Sequence, residues 1–121
     1  MIRATAMRTG RTAAVLICLL LPSIAGAEQL CPKYGSCVPA DSFRCQEVTR
    51  SSLVTRVCYD EPNHYMIVRL KQTDYHYCAI GREVVQQFLA AESMGSFYNQ
   101  NIKSGPTDGP FDCRTHPVPI Y

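Results

Sequence analysis

Seven cysteines, three histidines, a spaced tyrosine pair and a few hydroxyl side chains are the groups in this 121-residue chain that could do chemistry. Cys18 stands apart, inside an apolar run. The other six are Cys31, Cys37, Cys45, Cys58, Cys78 and Cys113, with 5, 7, 12, 19 and 34 residues between neighbours. Zinc sites favour closely spaced cysteine pairs and dithiol redox sites need C-x-x-C. Neither spacing is present, so no metal site is expected. An even set of six in a small exported chain reads instead as a framework of disulfides.

Tyr75 and Tyr77 sit two positions apart. On a strand they share a face with their tops about 6.5–7 Å apart. Exposed, such a pair stacks bases or sugars; packed on a helix, it keeps its hydroxyls at the rim. Ser52, Ser93 and Asn99 are small polar residues at element ends, able to bind a ligand or to cap helices and close turns. Ser52, Tyr75, Tyr77, Ser93 and Asn99 are the candidate binding set. His64, His76 and His116 are scattered. Ser52, His76 and Asp60 can be written as a triad, but no G-x-S-x-G elbow, HExxH, phosphate loop or paired catalytic carboxylate accompanies them. No enzyme activity and no cofactor is expected, with a small hydrolase as an alternative.

The elements that must position these groups begin after a leader. Arg3, Arg8 and Arg11 precede an apolar run over 12–21, which Pro22 and Ser23 break, and Ala25-Gly26-Ala27 has the small-x-small pattern of a cleavage site. This reads as a secretory signal cleaved after Ala27, giving a periplasmic or secreted protein. The apolar stretch over 12–25 is 14 residues, short of the ~20 of a spanning helix, so no membrane anchor is expected after cleavage. Removing 27 residues leaves 94. The leader takes three of the 12 basic residues and none of the 10 acidic ones, so the mature charge is −1 rather than +2.

Residues 28–48 form a cysteine-rich extension punctuated by Pro32, Gly35 and Pro39, with Asp41 placed to cap a short helix over 42–47. Residues 49–59 are rich in β-branched side chains, which favours a strand. A turn over 60–63 follows, then 65–71, where Met66, Val68 and Leu70 fall on one face and Ile67 and Arg69 on the other. A short turn at 72–74 leads to a third strand over 75–80. Val84, Val85, Phe88 and Leu89 then recur at helical spacing, predicting a helix over 82–92. A shorter helix over 96–103, a Pro/Gly loop and a tail carrying Cys113 complete the chain.

The stretch 51–103 resembles the KTSC domain, a small bacterial module also seen at the C-terminus of some lysyl-tRNA synthetases. The matching residues are Ser51-Ser52 with Val54, Val57-Cys58-Tyr59-Asp60, the alternating Met66, Val68 and Leu70, and Tyr75-His76-Tyr77. They continue with the helix from Glu83-Val84 to Leu89-Ala90-Ala91, then Ser93-Met94-Gly95, Phe97-Tyr98-Asn99 and Ile102-Lys103. The family usually has Gly in place of Cys58, Gly-Val-Pro in place of Ala79-Ile80-Gly81, and an aromatic residue soon after position 103. RNA binding is the role this resemblance implies. A charge of −1 and the lack of any Lys/Arg cluster argue against nucleic acid as the partner. An unknown protein or small ligand is expected instead.

The expected architecture is therefore α+β. A three-stranded antiparallel meander packs on one main helix and a short second helix, with disulfide-tethered N- and C-terminal extensions. The segments are 1–27 (signal peptide), 28–48 (extension), 49–105 (KTSC-like domain) and 106–121 (tail). In such a meander Cys58 and Cys78 lie about 9–10 Å apart across a central strand, beyond the roughly 7 Å that a disulfide spans. They should not pair with each other. The pattern this favours ties each sheet cysteine to a flank, with the remaining pairings open.

Overall fold

The computed structural model describes residues 10, 13–17, 28–103 and 109–121. The leader's cleavage site and Cys18 lie outside the described residues, as does most of the Pro/Gly loop. Among the described residues no helix is long and apolar enough to cross a membrane.

The strands are β1 (Gln29–Leu30), β2 (Val38–Pro39), β3 (Arg44–Glu47), β4 (Val54–Asp60), β5 (Tyr65–Leu70) and β6 (Thr73–Tyr77). β1 and β2 make a small hairpin, and β3-β4-β5-β6 is a four-stranded antiparallel sheet in sequence order. The sheet is therefore not the expected three-stranded meander: β4, β5 and β6 follow one another in the expected order, but the N-terminal extension adds a fourth strand, and the last strand is Thr73–Tyr77 rather than 75–80. Residues 42–47 are not the expected helix: a 3-10 turn at Ala40–Ser42 leads directly into β3. All four β3 side chains are exposed, so this edge strand carries no hydrophobic pattern by which to find it. Cys45 faces Cys58 across it, and Arg56 bridges Glu47 and Glu28.

β5 sits at the centre, and Tyr65, Met66, Ile67 and Val68 are each at most 2% exposed. Period-two alternation sends Met66 and Val68 to one face and Tyr65 and Ile67 to the other. On the first face they meet Val57, Tyr77, Val85, Phe88, Met94 and Tyr98. The last four come from α1 (Arg82–Ala90), from α2 (Met94–Phe97) and from the wide turn at Tyr98–Ile102 that continues α2. The second helical segment thus starts two residues earlier than its expected position and ends as a looser turn. Ser93 caps α2, its Oγ accepting from Ser96 N–H at 3.2 Å. Arg50 donates to the carbonyls of Leu89 and Ala91, both at 2.8 Å, satisfying orphan acceptors at the end of α1.

Among the described residues the second face has no α-helix. Leu30, Val38, Phe43, Cys58, Tyr65, Ile67 and Cys78 form a smaller core there, drawn largely from the N-terminal extension. Tyr121 stacks beside Phe43 and Tyr65 at 5.7 and 6.3 Å between ring centres. Its hydroxyl donates to the buried Asp60 carboxylate at 2.5 Å, and Asn63 donates to the same carboxylate at 2.7 Å. Three disulfides fix this arrangement: Cys31–Cys37, Cys45–Cys58 and Cys78–Cys113. Cys58 and Cys78 are each tied to a flank and not to each other.

The three bridges close loops of 6, 13 and 35 residues. In the chain-entropy account these constrain the unfolded chain by about 2, 3 and 4 kcal/mol. Chemical denaturation should therefore show that Cys78→Ala with Cys113→Ala costs more than Cys31→Ala with Cys37→Ala. Separately, Ala79 is exposed with φ 52, a left-handed conformation costing a side-chain-bearing residue roughly 1–2 kcal/mol. Ala79→Gly should raise the denaturation free energy by about 0.5–1 kcal/mol after the entropy of glycine is deducted.

Candidate functional site

A cavity of about 630 Å³ runs beside the outer edge of β6. Its lining comes from three separate stretches of chain. β5, β6 and the segment after α2 supply Leu70, Tyr75, His76, Tyr77, Tyr98 and Lys103; the 31–37 loop supplies Tyr34; the tail supplies Asp112, Cys113, Arg114 and Val118.

Each stretch is anchored locally. The Cys31–Cys37 bridge closes the loop that carries Tyr34, and Lys33 N–H donates to Asp74 O at 2.8 Å. Gly35 passes directly over the His76 ring: a Cβ there would stand 2.7 Å from Nδ1 and 2.8 Å from Cε1, closer than real side chains approach. The Cys78–Cys113 bridge and a 2.8 Å bond from Cys78 N–H to Phe111 O hold the tail. Asp112 is buried and takes the Arg114 guanidinium through Nε at 3.1 Å and Nη2 at 2.8 Å, a two-pronged geometry suited to carboxylates.

The aromatic lining is graded from dry to wet. Tyr77 is buried, and its hydroxyl shares a short hydrogen bond with that of Tyr98, the rings meeting edge to face. Tyr75 is half-buried. Tyr34 is 71% exposed, with its ring centre 6.3 Å from that of Tyr75 and the Lys33 ammonium 5.3 Å from its own. The sequence pairing of Tyr75 with Tyr77 holds as a shared face, but the accessible aromatic pair is Tyr75 with Tyr34. His76 points to the opposite face, where Tyr65 Oη lies 2.8 Å from Nδ1. Burial lowers the His76 pKa from its ordinary value, opposed by the nearby Asp112 charge. Burial also pushes Tyr65 up to about 12, so its hydroxyl stays protonated and donates to a neutral imidazole.

Of the candidate binding residues, Tyr75 and Tyr77 line the cavity, and Ser52, Ser93 and Asn99 do not. Ser52 and Asn99 are exposed elsewhere, and Ser93 serves as the α2 cap. The written triad is not assembled either. His76 bonds Tyr65, Asp60 bonds Asn63 and Tyr121, and no hydrogen bond joins Ser52, His76 and Asp60 to one another. Among the described residues no group of His, Cys, Asp or Glu is placed to hold a metal ion.

Residues 50–105 match the family model described as the KTSC domain. Over this segment the chain is similar to the KTSC domain family. The crystal structure of a KTSC domain protein from Yersinia pestis is similar at 28% identity, over 51% of this chain and 87% of that one, with a TM-score of 0.48. No curated protein matches the chain.

The KTSC segment contains Cys58 and Cys78 only. Two of the three disulfides therefore run from inside the domain to chain outside it, and the third lies wholly outside. The cavity is likewise composite, because Tyr34 and the tail residues fall outside 50–105. Sequence reasoning passed over Tyr34, Tyr98, Lys103, Asp112 and Arg114. The signal available for Tyr34 was its place inside the tight Cys31–Cys37 loop.

The His76 environment has a measurable consequence. Its folded pKa lies below the unfolded value of about 6.5, so the unfolded chain binds the extra proton first. The resulting stability is complete above that value and is lost as pH falls toward the folded pKa. Between pH 7 and pH 5 the wild-type Tm should fall further than that of His76→Gln. Equal slopes in the two proteins would contradict the assignment.

Proposed function

We propose that this chain is an exported, non-catalytic binding module, cleaved after Ala27 and stabilised by disulfides, that takes a protein segment or small ligand beside β6. The observation that carries this reading is the composite cavity. A KTSC core supplies one wall, and two separately stapled flanks supply the others. Covalent anchoring outside the core pre-organises those walls, and pre-organisation reduces the entropy lost on binding. Three disulfides fit an oxidising compartment, which supports export to the periplasm or beyond.

The family's implied role, RNA binding, has one feature in its favour: Tyr34 and Tyr75 stand near Lys103 and Arg114. Against it, Arg114 is engaged by Asp112, and a single-stranded site wants a continuous basic track. For the hydrolase alternative, Ser52, His76 and Asp60 are not hydrogen-bonded to one another among the described residues.

Thermal-shift screening of the oxidised protein against peptides, oligosaccharides and a single-stranded oligonucleotide at low salt tests these readings together. The module reading expects a ligand whose affinity drops at least tenfold in Tyr34→Ala and in Tyr75→Phe, with the ligand-free protein still unfolding cooperatively. Oligonucleotide binding that weakens steeply with salt would favour the RNA role instead. Turnover of a substrate panel, abolished by Ser52→Ala, would overturn the non-catalytic assignment.

A further inference from the structure

Among the described residues, the outer edge of β6 is closed at two points by the chain's own backbone, and one residue between them keeps its outward backbone groups unpaired. In an antiparallel strand the N–H and C=O of a residue point to the same side, and successive residues alternate. Asp74 O accepts from Lys33 N–H, and Cys78 N–H donates to Phe111 O. Asp74 and Cys78 therefore face outward, and so must His76 between them. The pairing with β5 agrees. Lys71 N–H is spent on Leu53 O on the β4 side, so Leu70, Val68 and Met66 bond toward β6, opposite Thr73, Tyr75 and Tyr77.

The outward N–H and C=O of His76 have no protein partner among the described residues. Unlike a bare sheet edge, this opening is a slot bounded by the Lys33 backbone on one side and the Phe111 backbone on the other. It is too short for a full added strand. It suits one residue that exchanges both of its backbone hydrogen bonds with His76 and then leaves the edge. Matched donor and acceptor on one side, at strand spacing, is the signature of a peptide unit. The cavity beside it adds the exposed Tyr34 ring and the half-buried Tyr75 ring. It also holds the exposed Lys103 ammonium beside Arg114 and Asp112, which neutralise each other. The positive charge left over is that of Lys103, and it favours an anion.

We infer that the slot takes one residue of a short extended peptide bearing a carboxylate, paired through its backbone with His76. This rests on the binding-module reading and names its ligand class.

The test uses the oxidised full chain to select heptapeptides from a displayed random library. The selected sequences are then resynthesised with each backbone amide N-methylated in turn. Placing the change in the peptide leaves the fold of the protein untouched. The inference expects enrichment of Asp or Glu, a loss of at least tenfold in affinity from N-methylation at one residue only, and slowed hydrogen exchange at the His76 amide. Peptides that bind with no single amide mattering, or without protecting His76, would overturn the inference and leave the module reading intact. An oligosaccharide or oligonucleotide that shifts the Tyr34 and Tyr75 resonances while no peptide is selected would also overturn the inference alone. If no probe of any class perturbs Tyr34 or Tyr75, the inference and the module reading both fall.

Discussion

Four consecutive side chains of β5, Tyr65 to Val68, are buried, and consecutive strand residues point to opposite faces. This requires that both faces of the sheet be covered. Each such side chain contributes roughly 1.5–3 kcal/mol when removed from water, so an uncovered face would forfeit much of a small domain's margin. On the first face α1 and the segment after it supply the cover, with Phe88 and Ile102 fully buried. On the second face no α-helix is available among the described residues. The cover there is assembled from β1, β2, Phe43 and the tail, which are pieces too short to hold themselves in place. The disulfides do that work: Cys45–Cys58 fastens β3 and the extension, and Cys78–Cys113 fastens the tail.

The cavity is a by-product of this solution. Flanks brought in to cover the second face must pass the β6 edge, and they pass it at two points, Lys33 and Phe111. The space between them, deepened by Tyr75 and Tyr77 on the helix side, is the candidate site. A KTSC core without these flanks would lack Tyr34, Asp112 and Arg114 and therefore much of the lining. The site's chemistry belongs to the combination of core and extensions, and the family resemblance alone does not reach it.

Much of the core could be read from the chain. The alternation of Met66, Val68 and Leu70 and the helical spacing of Val84, Val85, Phe88 and Leu89 each correspond to an observed buried face or its margin. The separation of Cys58 from Cys78 followed from strand spacing. β3 was not legible, because Arg44, Cys45, Gln46 and Glu47 are all exposed and an edge strand with no buried face leaves no periodic trace. Tyr75 and Tyr77 were legible as a shared face, but which tyrosine stays wet depended on Tyr98 and Tyr34, residues distant in sequence. Ser93 illustrates the ambiguity of small polar residues, since its hydroxyl is spent on capping α2.

Both the second core and the β6 cavity depend on flanks that are covalently folded onto the sheet. Cleavage after Lys33, Arg44, Arg56, Lys71 and Lys103 places each of the six cysteines on its own peptide. Mass spectrometry of the unreduced tryptic digest therefore tests this dependence directly. Three linked pairs are predicted, joining Cys31 to Cys37, Cys45 to Cys58 and Cys78 to Cys113. A peptide joining Cys58 to Cys78, or the two flanks joined to each other with the sheet cysteines reduced, would contradict it.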